Sequence, residues 1–232
     1  MNHGNTPAAV VLALGIALAG YLVGNALIES RTSERRVSVR GLSEREVPAN
    51  LVLWPIVFSV TSDDLVDLQR QADVGVVKVR AFLGDAFPAE QISVSPPRVQ
   101  DREAQGMSGD GRQRDRYMAE VVVTVRTDQI DAARKAIERS GELVKQGVAV
   151  IRSYEYSTQY LYTDLEKVKP EMIAEATKDA RRAAEQFAQD SGSTVGAIRT
   201  AQQGLFSIED RAQFSPQLKR IRVVTTVDYY RE

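Results

Sequence analysis

Acidic side chains are the first place to look for chemistry, because this chain denies itself most other reagents. Its 232 residues contain no cysteine, and the one histidine, His3, lies at the extreme N-terminus. Thiolate nucleophiles, Cys-based metal sites, His triads and imidazole bases are therefore absent from the body of the chain. General acid–base work would fall to Asp, Glu, Lys or Tyr. Asp63, Asp64 and Asp67 cluster where a helix should begin, which reads as capping and dipole complementarity or as a divalent-ion site. Asp101, Glu103, Asp110 and Asp115 share a glycine-rich stretch with Arg102, Arg112, Arg114 and Arg116. Gly106, Gly109 and Gly111 in that stretch do not form a phosphate cradle, since a strand follows and not a helix. The arginines remain candidates for an anionic partner or a lipid headgroup. No metal, cofactor or catalytic residue is assigned.

Tyrosine supplies a second pattern. Tyr154, Tyr156, Tyr160 and Tyr162 fall on even positions of an extended segment, with Tyr229 and Tyr230 near the end of the chain. Tyrosine covers apolar area and keeps a polar tip, so this face is a candidate oligomer contact or a packed sheet face. Base stacking is disfavoured, because no basic stripe accompanies the rings.

Thirty Lys and Arg against 31 Asp and Glu leave a net charge of -1, with pI about 6.0. Nothing draws the chain globally to nucleic acid or anionic lipid. Apolar residues concentrate elsewhere. From Ala8 to Ile28 no charge interrupts the sequence AAVVLALGIALAGYLVGNALI. As a helix this run is about 31 Å long, the thickness of a bilayer core. A cleaved signal peptide would carry a basic leader and a shorter apolar stretch. Ala17-Leu18-Ala19 offers a cleavage site, yet Tyr21, Leu22, Val23, Leu27 and Ile28 continue past it. The reading adopted is a retained single-pass anchor over 1–29, followed by a polar tether over 30–36. Gly15, Ala19, Gly20 and Gly24 form small-xxx-small pairs suited to helix packing in lipid. The arginines after the run (Arg31, Arg35, Arg36, Arg40, Arg45) would by charge alone hold the domain in the cytoplasm.

Residues 37–232 read as an α+β domain of antiparallel sheet, with about three helices packed on one face. Strands are expected at 37–41, 51–61, 92–94, 117–126, 148–162, 194–203 and 218–230. The second carries a parity change at Trp54-Pro55, so a bulge or an edge position is expected there. One helix follows the Ser62-Asp63-Asp64 cap with Leu65, Leu68, Ala72, Val76, Val79 and Leu83 on its inner stripe. Another runs from the Thr127-Asp128 cap to about Gln146. A third starts at Pro170 after a loop over 165–169. It carries Ala176, Ala180, Ala184, Ala188 and Gly192 as a close-packing ridge, with Ile173, Ala183 and Phe187 beside it and a solvated face opposite. Val60-Thr-Ser-Asp63-Asp-Leu65 and Val125-Arg-Thr-Asp128-Gln-Ile130 echo each other as strand, cap and helix.

The opening Val37-Ser-Val-Arg-Gly41-Leu-Ser-Glu-Arg-Glu-Val-Pro-Ala49, the Asp-Asp-Leu65 helix start, the alanine-ridge helix running into Ser-Gly192-Ser-Thr-Val-Gly196-Ala-Ile198, and the Ile221-to-Val227 strand resemble the SIMPL-domain family of bacterial envelope proteins. The resemblance covers nearly all of 35–232. It implies an exported α+β domain without catalytic residues, a homo-oligomer of ring or channel type, and a protective role in oxidative stress. The family location outweighs the charge asymmetry and implies a periplasmic domain on the inner membrane. Expected partners are further copies of the chain, the bilayer through the apolar run at 8–28, and an unidentified envelope protein. The alternatives are a soluble periplasmic ligand-binding module after signal cleavage and a cofactor-free carboxylate enzyme.

Overall fold

The computed structural model describes residues 6–32, 36–106 and 115–231, with side chains of the first helix described from 12 to 25. In chain order the elements are α1 (Thr6–Thr32), β1 (Arg36–Pro48), β2 (Leu51–Ser62), α2 (Leu65–Leu83), β3 (Ile92–Val94), β4 (Arg98–Asp101), β5 (Tyr117–Thr127), α3 (Ile130–Arg139), α4 (Gly141–Lys145), β6 (Ala149–Val150), β7 (Gln159–Leu161), α5 (Leu165–Asp190), β8 (Val195–Gln203), β9 (Ser207–Asp210) and β10 (Leu218–Arg231). The class is α+β with antiparallel pairing, in two sheets and two compact units. One unit comprises Met1–Arg45, Glu166–Ser207 and Ile221–Glu232, and the other comprises Glu46–Leu165 and Ile208–Arg220. α2, α3 and α4 fall in the second unit and nearly all of α5 in the first, where the sequence suggested helices packed on one face of the sheet or sheets.

In the second unit, β2 and β5 pair from Val52↔Thr127 to Ser62↔Tyr117 without a register shift. β3 and β4 add to β5, and β6 and β7 add to β2. Even positions of β2 and odd positions of β5 point the same way, as a period of two requires. Trp54, Ile56 and Phe58 therefore lie directly across from Val125, Val123 and Val121. All six are buried, with Ala72 and Val79 of α2, Ala133 of α3 and Leu143 of α4 in the same core. The expected bulge at Trp54-Pro55 does not form. Val52 and Trp54 already point inward, so the inner face keeps one parity and Leu51 and Leu53 belong to the other side. Pro55 is accommodated differently. The Val57 carbonyl accepts from the Ile151 N–H on the β6 side. Groups two residues apart point the same way, so the Pro55 nitrogen also faces that side. It sits in the gap between the β2 residues paired with β7, the last of which is Leu53, and those paired with β6, the first of which is Phe58. No ladder donor is lost there.

The Asp64 cap of α2 is present, its carboxylate accepting from the Asp67 N–H at 2.8 Å. The second expected helix is broken instead at Ser140 into α3 and α4. Gly147 then closes α4 with φ 79°. Its N–H bonds the Val144 carbonyl and the Val148 N–H bonds the Leu143 carbonyl, the paired bonds of a Schellman motif. The strand–cap–helix echo in the sequence falls on β2–α2 and β5–α3, halves whose strands are each other's partners.

In the first unit, β10 lies between β1 and β8. Odd positions of β1 and β10 turn inward, and α5 lies on them with Ala180 and Ala184 against Val39, Val227 and Tyr229. α5 starts at Leu165, five residues before its expected start, and Pro170 stands inside it. A proline there cannot donate to the Glu166 carbonyl, so one helical bond is missing. Ala176, Ala180, Ala184 and Ala188 are all buried, whereas Gly192 is exposed. Gly192 belongs to the helix end, with φ 64° and the paired bonds Gly192 to Gln189 and Ser193 to Ala188. Phe187, beside the ridge in sequence, is exposed.

The Tyr229 ring is buried, and its hydroxyl has no hydrogen-bond partner among the described residues. A buried hydroxyl left unpaired costs about 1–3 kcal/mol. Tyr229→Phe is therefore expected to leave the denaturation midpoint unchanged or to raise it. A loss of more than about 1 kcal/mol in urea unfolding would contradict this account of the unit's core.

No described side chain of the first helix belongs to the core cluster of its unit. Leu12, Leu14, Ile16, Leu18, Tyr21, Leu22 and Val23 are exposed, and the described stretch 12–25 carries no charged residue. Nothing lies within 4 Å of a methyl built at Gly15, Gly20 or Gly24. Among the described residues no helix is long and apolar enough to cross a membrane. Of the 8–28 run, side chains 8–11 and 26–28 lie outside the described set, so the transmembrane helix read from the sequence is not shown. The expected tether is shorter at both ends: residues 30–32 are helical, Arg36 is in β1, and 33–35 are outside the described residues.

Candidate interaction surfaces

The acids at the start of α2 each have an assigned task. Asp64 caps the helix, and Asp63 accepts the Arg116 N–H at 2.8 Å. Asp67 accepts from Gln71 at 2.7 Å and Ser62 at 2.9 Å, and it pairs with Arg70. The Gln71 bond, then Arg70 and Ser62, hold its carboxyl down at about 2. A carboxylate so fixed in its charged form is a poor proton shuttle near neutrality. Asp101 is lowered chiefly by Arg116, which it meets at 2.8 Å, and it also accepts the Glu103 and Ala104 N–H groups. Asp115 accepts from the Thr61 hydroxyl. Asp110, Arg112, Arg114, Gly109 and Gly111 lie outside the described residues. Among the described residues, no group of three acidic, His or Cys side chains is arranged to hold a metal ion.

The tyrosines do not form one face. The expected long strand over 148–162 is two short pieces, β6 and β7, joined by irregular chain, so even positions lose their common direction. Tyr154 is fully exposed. Tyr156 accepts from Arg98 at 3.3 Å beside the Arg98–Glu155 ion pair at 2.9 Å. Tyr160 packs on the core, where burial raises its phenol. Tyr162 is half-buried.

One face of α5 expected to be solvated is instead partly engaged. Glu171, Glu175 and Asp179, one turn apart, meet β1 in sequence. Asp179 accepts the Leu42 N–H at 3.0 Å, Glu175 accepts the Ser43 hydroxyl at 2.7 Å, and Arg45 reaches Glu171 at 2.7 Å and Glu175 at 2.8 Å. Arg181 lies over the Tyr229 ring at 5.3 Å. The Leu42 N–H first, then Arg182, lowers Asp179, and Ser43 first, then Arg45, lowers Glu175. A carboxyl whose folded pKa is depressed stabilises the fold above its unfolded value, near 4, and that contribution disappears as pH falls through the folded value. Thermal midpoints are expected to be flat from pH 7 to about 5 and to fall between about 4.5 and 2. Glu175→Gln with Asp179→Asn should lower the pH 7 midpoint and flatten the acid fall. A double variant with the wild-type acid profile would contradict the assignment.

The outer face of α2 is the surface that sequence reading passed over. Its core side is Leu68, Ala72, Gly75, Val79 and Leu83, so Leu65, counted in the inner stripe, is half exposed. Opposite that core stand Val66, Val74 and Val77, all exposed, interleaved with Gln69, Arg70 and Asp73. The signal was present in the sequence as three valines off the inner stripe. Valine on a wet helix face is less favourable than alanine by several tenths of a kcal/mol and, without a partner, packs on nothing.

The SIMPL family model, described as a protein of unknown function (DUF541), matches residues 37–229, and the chain belongs to that family. No curated protein matches the chain.

Proposed function

We propose that this chain is a non-enzymatic, membrane-anchored envelope protein whose SIMPL domain lies on the periplasmic side of the inner membrane and self-assembles into a homo-oligomer, closed as a ring or channel, with a protective role under stress. The observation that carries the reading is α1: an uncharged apolar run from Ala8 to Ile28 whose described large side chains are all exposed, joined to a domain of this family. In water such a helix would leave its whole circumference unpaired, whereas lipid satisfies it. The fixed carboxylates favour assembly over acid–base catalysis. The dispersed tyrosines do not support a ligand cavity lined by them.

Light scattering on the full chain in detergent tests assembly. The expected protein mass is a multiple of the 25.6 kDa protomer. A monomer at micromolar concentration overturns the oligomer. Protease added to spheroplasts is expected to digest the domain, and full protection places it on the other side.

A further inference from the structure

The outer strip of α2 is charge-complementary to its own reversal. Val66, Arg70, Asp73 and Val77 follow one another at i, i+4, i+7 and i+11 along one strip of the helix. Reversal about the midpoint between Gln71 and Ala72 exchanges Val66 with Val77, Arg70 with Asp73 and Gln69 with Val74. We infer that α2 pairs antiparallel with α2 of a second copy across a two-fold axis at that midpoint, Arg70 of each copy on Asp73 of the other and Val66 on Val77. The inference rests on the self-assembly reading and names the surface for it.

Charge chooses the occupant. A two-fold contact must be complementary to itself, with each pairing occurring twice. Opposite charges at mirrored positions satisfy that condition, and valine then meets valine about 8 Å to either side of the axis. A parallel pair would stack Arg70 on Arg70 and Asp73 on Asp73. In the single chain Arg70 pairs with Asp67, and Asp73 accepts from Gln69 at 2.9 Å. Both are exposed contacts within one helix, of a kind worth at most about 1 kcal/mol, so they exchange readily for partners across the axis. Val66 is 79% exposed and Val77 is 65% exposed, the apolar surface such a contact would remove from water. One helix pair covers less than the roughly 1,200 Å² of a standard interface, so the contact is weak alone and gains from copies held together by other means.

The absence of cysteine makes the test clean. Full-length Val66→Cys chains carrying a size tag are mixed in detergent with untagged Val77→Cys chains and oxidised with copper phenanthroline. The mixed covalent dimer is expected in at least ten-fold excess over the homodimer of either variant. Arg70→Asp in both partners is expected to cut its yield at least five-fold, and Arg70→Asp with Asp73→Arg to restore it. Circular dichroism melts confirm that each variant folds. Homodimers of Val66→Cys as abundant as the mixed product, or Val66→Cys captured by a different polypeptide in whole membranes, overturn the inference. An oligomer by light scattering without mixed cross-links overturns it too, while leaving the self-assembly reading in place. A monomer by light scattering removes both.

Discussion

Gly41→Ala is expected to unfold the β1–α5 layer or to cost at least about 3 kcal/mol, the upper range for an overpacked site. The reason is geometric. A methyl at Gly41 would lie 1.9 Å from the Ala176 carbonyl oxygen and 2.4 Å from the Ala180 nitrogen. These are helix backbone atoms and cannot rotate away, so the whole of α5 would have to lift from the strand. Lifting α5 also stretches the neighbouring Leu42–Asp179 and Ser43–Glu175 bonds. The alanine ridge has the same cause: small residues at every fourth position let the helix lie this near, and Gly41 is the strand's half of the fit. Urea denaturation of Gly41→Ala beside Gly15→Ala, which meets nothing within 4 Å, is the comparison to make. Equal midpoints for the two would contradict the close-approach account.

Phe58→Ala is expected to cost about 3–5 kcal/mol, the usual range for deleting a buried aromatic. Phe58 is 1% exposed and lies between β2 and α2. Its ring occupies the space that a side chain at Gly75 would need, since a methyl there would come within 2.4 Å of the ring. The two sites should therefore couple. Gly75→Ala alone is expected to destabilise by about 1–3 kcal/mol, and most of that should vanish in the Phe58→Ala background, where the methyl meets a void. Additive losses in the double variant would show that α2 reaches the sheet through other contacts.

Much of this architecture is legible in the sequence where local chemistry and long-range packing agree. The Asp64 cap, the inner stripe of α2, the valine alternation of β5 and the alanine row of α5 each announce an element and its buried face. What misled was position-specific. Leu51 and Leu53 suggest an odd-position face that switches at Trp54-Pro55, but Val52 and Trp54 are the buried residues there, so the strand keeps one parity. Pro170 suggested a helix start, but packing of the alanine row outweighs the one bond it removes. The tyrosines at 154–162 alternate in sequence, yet alternation carries direction only inside a paired strand, and β6 and β7 pair for two and three residues. Gly41 gave no sign of its role, because a close approach to a helix far along the chain leaves no local pattern. Likewise the outer face of α2 was hidden by the stronger inner stripe.

The central claim is that the apolar N-terminal helix is retained and ties the SIMPL domain to the membrane. Intact mass of the chain recovered from a bacterial host, after carbonate extraction of the membranes, tests it most directly. The account predicts the full 25.6 kDa polypeptide in the extracted membrane pellet. A shortened chain beginning near Gly20, found in the soluble fraction, would contradict it.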